Sequence, residues 1–193
     1  MCTFWVKRYE KLYKLIRSYK NKRKIKLPLH KGNMLYIKEN LKMVKIMFIC
    51  HGNICRSVSA EYIMKDLAKK NGVDLYVSSA ATSREEIGND IYPPAKRKLK
   101  EKGIPFSRHY ARQATMSDYL SYDYLICMDE NNIRNLNRIF NNDPDHKIYK
   151  LLSRDVSDPW YTNDFETAYN DIFEGCKAWL EKLSWCASSV QLI

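Results

Sequence analysis

Cys50 and Arg56 bracket the stretch C-H-G-N-I-C-R-S, and residues of these types at this spacing could do phosphoryl chemistry. A cysteine attacks as its thiolate, and phosphorus is an electrophile that such a sulfur can take over from an ester oxygen. Arginine presents a planar fork of donors that holds two phosphoryl oxygens at once and stabilises charge developing on the others. Ser57 stands close enough in sequence to donate its hydroxyl to the sulfur, and Gly52 and Asn53 supply the bends a tight loop needs. A cysteine and an arginine alone would fit a buried structural thiol better. The small and polar residues packed between them favour a built anion site.

The flanking elements place that loop. Ile46 to Ile49 is an apolar run that reads as a buried strand, and from Ser57 onward Ala60, Tyr62, Ile63, Met64, Leu67 and Ala68 recur at helical spacing until Asn71-Gly72. Cys50 therefore stands at the carboxyl end of a strand, in a loop that enters a helix. Loop amides, the unpaired first-turn N–H groups and the positive end of the helix dipole together favour an anion there, and favour thiolate over thiol.

Attack on a phosphate monoester also needs a proton for the departing oxygen, and that donor must come from elsewhere in the chain. Asp158 is the candidate, with Pro159 stiffening the segment and Trp160 and Tyr161 placing large rings beside it. An Asp-Pro pair by itself reads as a turn. Asp129, which follows a strand, is the second carboxylate with a site role, as a group that orients the loop.

From about Val44 to about Trp185 the chain resembles the low-molecular-weight protein tyrosine phosphatases. The likeness rests on the cysteine loop, S-A-A-T-S at Ser79 to Ser83, H-Y-A-R-Q at His109 to Gln113, D-Y-L-I-C-M-D-E at Asp123 to Glu130 and D-P-W-Y at Asp158 to Tyr161. The resemblance implies hydrolysis of phosphotyrosine through a phosphocysteine, without cofactor or metal. Cys50 would be the nucleophile, Arg56 the phosphate binder and Asp158 the acid and then the base. It also implies that His51, Gly52, Asn53, Ile54, Cys55, Ser57, Trp160 and Tyr161 meet the substrate, and that Ser79 and His109, with Asn53, brace the loop. In that family a thiol placed like Cys55 forms a reversible disulfide with the nucleophile. The partner implied is a phosphotyrosine protein as substrate, a tyrosine kinase being one candidate, and the chain is expected to be a monomer.

Some positions depart from the pattern. Ile54 lies where members acting on phosphoarginine carry Thr, which favours phosphotyrosine; Glu85 falls about where some members place an aromatic wall. His51 replaces an apolar residue, and Val58 replaces a usual proline. The rival readings are a protein-arginine phosphatase, an arsenate reductase and a non-catalytic module that docks on phosphate or a membrane. The reductase needs further closely spaced cysteines, and after Cys127 the next is Cys176.

The whole chain of 193 residues carries a net charge of +11. Residues 1–43 hold thirteen basic residues against Glu10 and Glu39, so residues 44–193 are neutral overall and the high charge belongs to the arm. In that arm Trp5, Tyr9, Leu12, Tyr13, Ile16 and Tyr19 make a stripe on a helix with basic flanks, suited to weak contact with an anionic membrane or nucleic acid. A disordered tail, or a start assigned upstream of Met43, is the plainer reading. Six cysteines without CxxC spacing fit a reducing cytoplasm, and no apolar run approaches the roughly 18 residues of a membrane span.

From residue 44 to residue 193 the expected fold is α/β, a doubly wound four-stranded parallel sheet with helices on both faces. Further strands are expected at Leu75–Ser78, Tyr124–Met128 and Lys147–Leu151. Pro93-Pro94 opens a helix that Gly103 closes, Thr115 caps a short one through Leu120, and Asn131–Phe140 forms another. Asp164 caps the last helix, whose stripe of Phe165, Ala168, Tyr169, Ile172, Phe173, Cys176, Trp179, Leu180 and Leu183 is assigned to the core; Ala187–Ile193 shows no pattern.

Overall fold

The computed structural model describes residues 25–28, 34–37 and 43–188, and the chain divides into two units, Met1–Lys42 and Met43–Ile193. In the first unit β1 (Ile25–Pro28) and β2 (Met34–Ile37) pair antiparallel, with Ile25 opposite Ile37 and Pro28 opposite Met34. This hairpin is not anticipated from sequence, because four-residue strands are too short to display a period and proline counts against one. Pro28 is accommodated because both strands of a two-stranded sheet are edge strands. The helix expected over Trp5 to Tyr19 lies outside the described residues.

In the second unit β3 (Val44–Cys50) leads through the cysteine loop into α1 (Arg56–Asn71), which Gly72 ends in the left-handed region. Then come β4 (Leu75–Ala81), α2 (Pro93–Glu101), α3 (Met116–Ser121), β5 (Tyr124–Cys127), α4 (Glu130–Ile139), β6 (Ile148–Lys150), the one-turn α5 (Pro159–Thr162) and α6 (Phe165–Ser188). The strands are all parallel in the order β4-β3-β5-β6. From β3 the chain crosses first to β4 and later to β5 on the other side, so the carboxyl end of β3 is the switch point where an α/β sheet opens a crevice.

Alternation along the two central strands supplies both faces of the sheet. Ile46, Phe48, Ile126 and Met128 join one core with Ile63, Leu99, Ile172 and Leu180 from α1, α2 and α6. Met47, Ile49, Leu125 and Cys127 join a second core with Tyr119, Leu136 and Phe140 from the side of α3 and α4. Strands covered on both faces are apolar throughout, which is how β3 from Ile46 onward and β5 read. Thr115 caps α3 in a reciprocal box with Asp118, and Asp164 Oδ1 accepts from Thr167 N at 2.9 Å at the start of α6.

The structure corrects several boundaries. β4 runs three residues past Ser78, because Ser79, Ala80 and Ala81 stay paired with Phe48, Ile49 and Cys50. Phe173 leaves the buried stripe of α6 and is 36% exposed, stacked on Tyr169 with ring centroids 6.0 Å apart. α6 continues through Ala187 and Ser188, where no signal was read, and the Asp158 segment is a helical turn rather than a plain loop. Among the described residues no helix is long and apolar enough to cross a membrane.

Candidate active site

At the carboxyl end of β3 the loop His51–Cys55 is held from outside by its carbonyls. Thr82 N donates to Cys50 O at 2.9 Å, Ser83 N to His51 O at 3.0 Å, Tyr92 N to Ile54 O at 2.9 Å, and His109 Nε2 lies 2.9 Å from Asn53 O. Carbonyls fixed this way leave the loop's N–H groups for an anion. Asn53 turns the chain at φ 60°, in the left-handed region that asparagine tolerates better than most residues.

The sulfur of Cys50 is 3.0 Å from Ser57 Oγ and accepts from Asn53 N at 3.2 Å. Asn53 Nδ2 donates to both Ser57 Oγ, at 2.9 Å, and Ser79 Oγ, at 2.8 Å, while His109 Nε2 lies 3.1 Å from Asn53 Oδ1. Burial lowers the His109 pKa, with Glu61 opposing. Its neutral ring donates one N–H to Asn53.

Arg56, 3% exposed, is the first residue of α1. Its Nη1 donates to Asp129 Oδ2 at 2.7 Å and to Val156 O at 2.9 Å, and its Nη2 reaches Asp158 Oδ2 at 2.5 Å. Burial works against the charged guanidinium, yet Cys50, Asp158 and Asp129 together raise its pKa. Asp129 reaches it from the N-cap of α4, its other oxygen accepting from Asn132 N at 2.7 Å. Asp158 comes from the N-cap of α5, where Oδ1 accepts from Trp160 N at 3.1 Å.

Above the loop lies a cleft of about 110 Å³. Cys50, Gly52, Ile54, Cys55 and Arg56 line its floor, His51, Glu85 and Glu86 one side, and Asp158, Trp160 and Tyr161 the other. Trp160 leans on Tyr92, ring centroids 4.9 Å apart, and Tyr161 is 82% exposed. His51 Nε2 pairs with Glu85 Oε2 at 2.9 Å, so the wall that the sequence left without an aromatic is polar. The site thus gathers a cysteine among donors, an arginine, and a carboxylate beside it: the parts for displacement at phosphorus.

The family model for low molecular weight phosphotyrosine protein phosphatase matches residues 45–187. The chain belongs to the low molecular weight phosphotyrosine protein phosphatase family. It is 43% identical over 149 residues to the human protein of that name, covering 71% of this chain and 94% of the relative. It is 35% identical over 150 residues to the low molecular weight protein-tyrosine-phosphatase YfkJ of Bacillus subtilis, covering 73% of this chain and 96% of the relative. Among solved structures it is similar to that YfkJ, with a TM-score of 0.73 at 34% identity over 76% of this chain and 98% of the other. It is also similar to the low molecular weight protein tyrosine phosphatase of Streptococcus pyogenes, with a TM-score of 0.69 at 39% identity over 73% of this chain and 93% of the other.

Within this phosphatase fold every site residue singled out from sequence lies in the cleft or in the hydrogen-bonded shell behind it. Sequence reasoning missed Glu61, which is 8% exposed and accepts from Ser79 Oγ at 2.6 Å, and Arg112, whose N–H reaches Asn53 Oδ1 at 3.3 Å. The signal for Glu61 was a charge among the apolar positions of α1. Cys127 and Cys176 sit in cores on opposite faces of the sheet, and burial raises both thiols, so neither continues a redox relay from the phosphatase loop.

Proposed function

We propose that the protein hydrolyses phosphotyrosine in proteins through a phosphocysteine intermediate. The observation that carries this reading is the convergence on one loop of the Cys50 sulfur, held by Ser57 and Asn53, and an Arg56 guanidinium that touches Asp158 at 2.5 Å. In the first step the Cys50 thiolate attacks phosphorus, the S–P bond forms as the aryl P–O bond breaks, and Asp158 gives its proton to the leaving oxygen. In the second, Asp158 takes a proton from water, which attacks phosphorus and releases Cys50 with inorganic phosphate. Arg56 grips two phosphoryl oxygens throughout, and loop amides take the rest of the charge. Arriving phosphate exchanges with Asp158 for Arg56, which frees the carboxyl group to meet the leaving oxygen.

Ile54, aliphatic on the cleft floor, supports phosphotyrosine over phosphoarginine. The chain acts in the cytoplasm as a monomer on phosphotyrosine proteins, with a tyrosine kinase among its candidate substrates. Its basic residues 1–43 make weak contact with anionic membranes or nucleic acid. The test is hydrolysis of p-nitrophenyl phosphate and of matched phosphotyrosine and phosphoarginine peptides. Wild type is expected to be active with the tyrosine peptide preferred, Cys50→Ser inert, and Asp158→Ala slowed by about 100-fold or more, the usual scale of a lost proton donor. An inert wild-type chain would favour a non-catalytic phosphate-binding module instead.

A further inference from the structure

Glu61 lies in the second turn of α1, and neither the cysteine loop nor the acid segment explains a buried carboxylate there. Burying a carboxylate is costly unless its oxygens are satisfied. One oxygen pairs with Lys65 and the other accepts from Ser79 Oγ at 2.6 Å.

These contacts have a direction. An ionised carboxylate can only accept, so Ser79 must give Glu61 its single hydroxyl proton and meet Asn53 Nδ2 with a lone pair. On the far side of the amide, the Arg112 N–H can only donate, and it meets Asn53 Oδ1. The amide is fixed from both ends with its nitrogen toward the serines. Its second hydrogen goes to Ser57 Oγ, which leaves the Ser57 proton for the Cys50 sulfur at 3.0 Å. Two acceptors, a thiolate and a carboxylate, are each fed by a serine, and both serines are fed by one amide. Chains of this kind strengthen their members.

We propose that Glu61 is a positioning residue: by taking the only proton of Ser79 it holds the Asn53 amide turned so that Ser57 donates to the Cys50 sulfur. The inference rests on the phosphatase reading only for the use to which that sulfur is put. The charged or titratable groups facing the sulfur are Arg56, Cys55, Cys127 and, from the cleft, His51 and Asp158; those facing Glu61 are Lys65, His109 and Arg112. All are retained in the variants below.

The test is the pH dependence of Cys50 alkylation by iodoacetate, read by mass spectrometry of the Cys50 peptide, in the full chain. Glu61→Ala is expected to raise the alkylation midpoint by about half to one pH unit, the scale of a weakened donor to the thiolate. Ser79→Ala should do the same, and the double variant no more than the larger single. Glu61→Gln, whose carbonyl still accepts from Ser79, should stay near wild type. Glu61→Met fills the same volume without an acceptor and carries the test if the alanine variant unfolds. An unmoved midpoint in Glu61→Met, additive shifts in the double variant, or a Gln variant as shifted as Ala would each overturn the proposal. Alkylation needs no turnover, so a chain inert toward p-nitrophenyl phosphate would defeat the phosphatase reading and leave this result standing.

Discussion

Asn53 is the residue on which the loop turns, since it combines a left-handed backbone with an amide that touches both serines. Asn53→Ala removes two buried donations, each worth about 1–3 kcal/mol when a partner is stranded. Steady-state kinetics on p-nitrophenyl phosphate should therefore show kcat/KM down by about 100-fold or more, at 1.4 kcal/mol per decade. A fall within threefold would mean that the amide does little for the sulfur. His109 adds a pH dependence. Burial lowers its pKa, so below the ordinary value near 6.5 the unfolded chain binds a proton that the folded one resists. Its contribution is complete above that value and is lost as pH falls through the lowered folded one. Urea unfolding at pH 8 and pH 5.5 should show a larger drop in stability for wild type than for His109→Asn. Asn53, Ser57 and Arg56 were legible because one short motif carries them. Glu61 was not, because a glutamate in a helix ordinarily reads as solvated face, and only the third dimension brings Ser79 to it.

At the scale of elements, α6 meets the exit of β6 at Gly175, where there is no room for a side chain. A methyl group there would run into the Leu151 side chain, and Leu151 is held on both sides, its N–H on Cys127 O at 2.8 Å and its carbonyl on Trp179 Nε1 at 3.2 Å. Gly175→Ala should lower stability by about 1–3 kcal/mol, as overpacking does, measured by urea denaturation. Unchanged stability would show that Leu151 repacks freely. The chain then runs from Leu151 to Val156, whose carbonyl accepts from Arg56, and on to Asp158, which Arg56 also holds. Periodicity placed β3, β5, α4 and α6 because each is long or apolar enough to display one. α5 spans four residues and shows no period, so only its cap, Asp158, was visible. Phe173 was misassigned because it lies at the border of the helical stripe, where spacing alone does not separate core from rim.

For the whole molecule, charge and chemistry are separated along the chain: the net +11 lies in residues 1–43, whereas every proposed site residue follows Val44. A chain begun at Met43 should hydrolyse p-nitrophenyl phosphate with unchanged kcat/KM, since a unit with its own core folds alone. The same truncation should lose whatever affinity the full chain shows for anionic vesicles and for DNA; equal binding by both would remove any such role for the arm. The fold class was legible across this unit because alternating strand and helix patterns admit few topologies. The hairpin of the first unit was hidden by its brevity. The pinning of the loop carbonyls by Thr82, Ser83, Tyr92 and His109 has one more effect. Those donors lie far along the chain from the loop, so the phosphate receptor has no independent existence and cannot soften ahead of its surroundings. Titrated with urea, turnover and tertiary signal should vanish in a single step, and a synthetic peptide of residues 44–59 should be deaf to phosphate at any concentration.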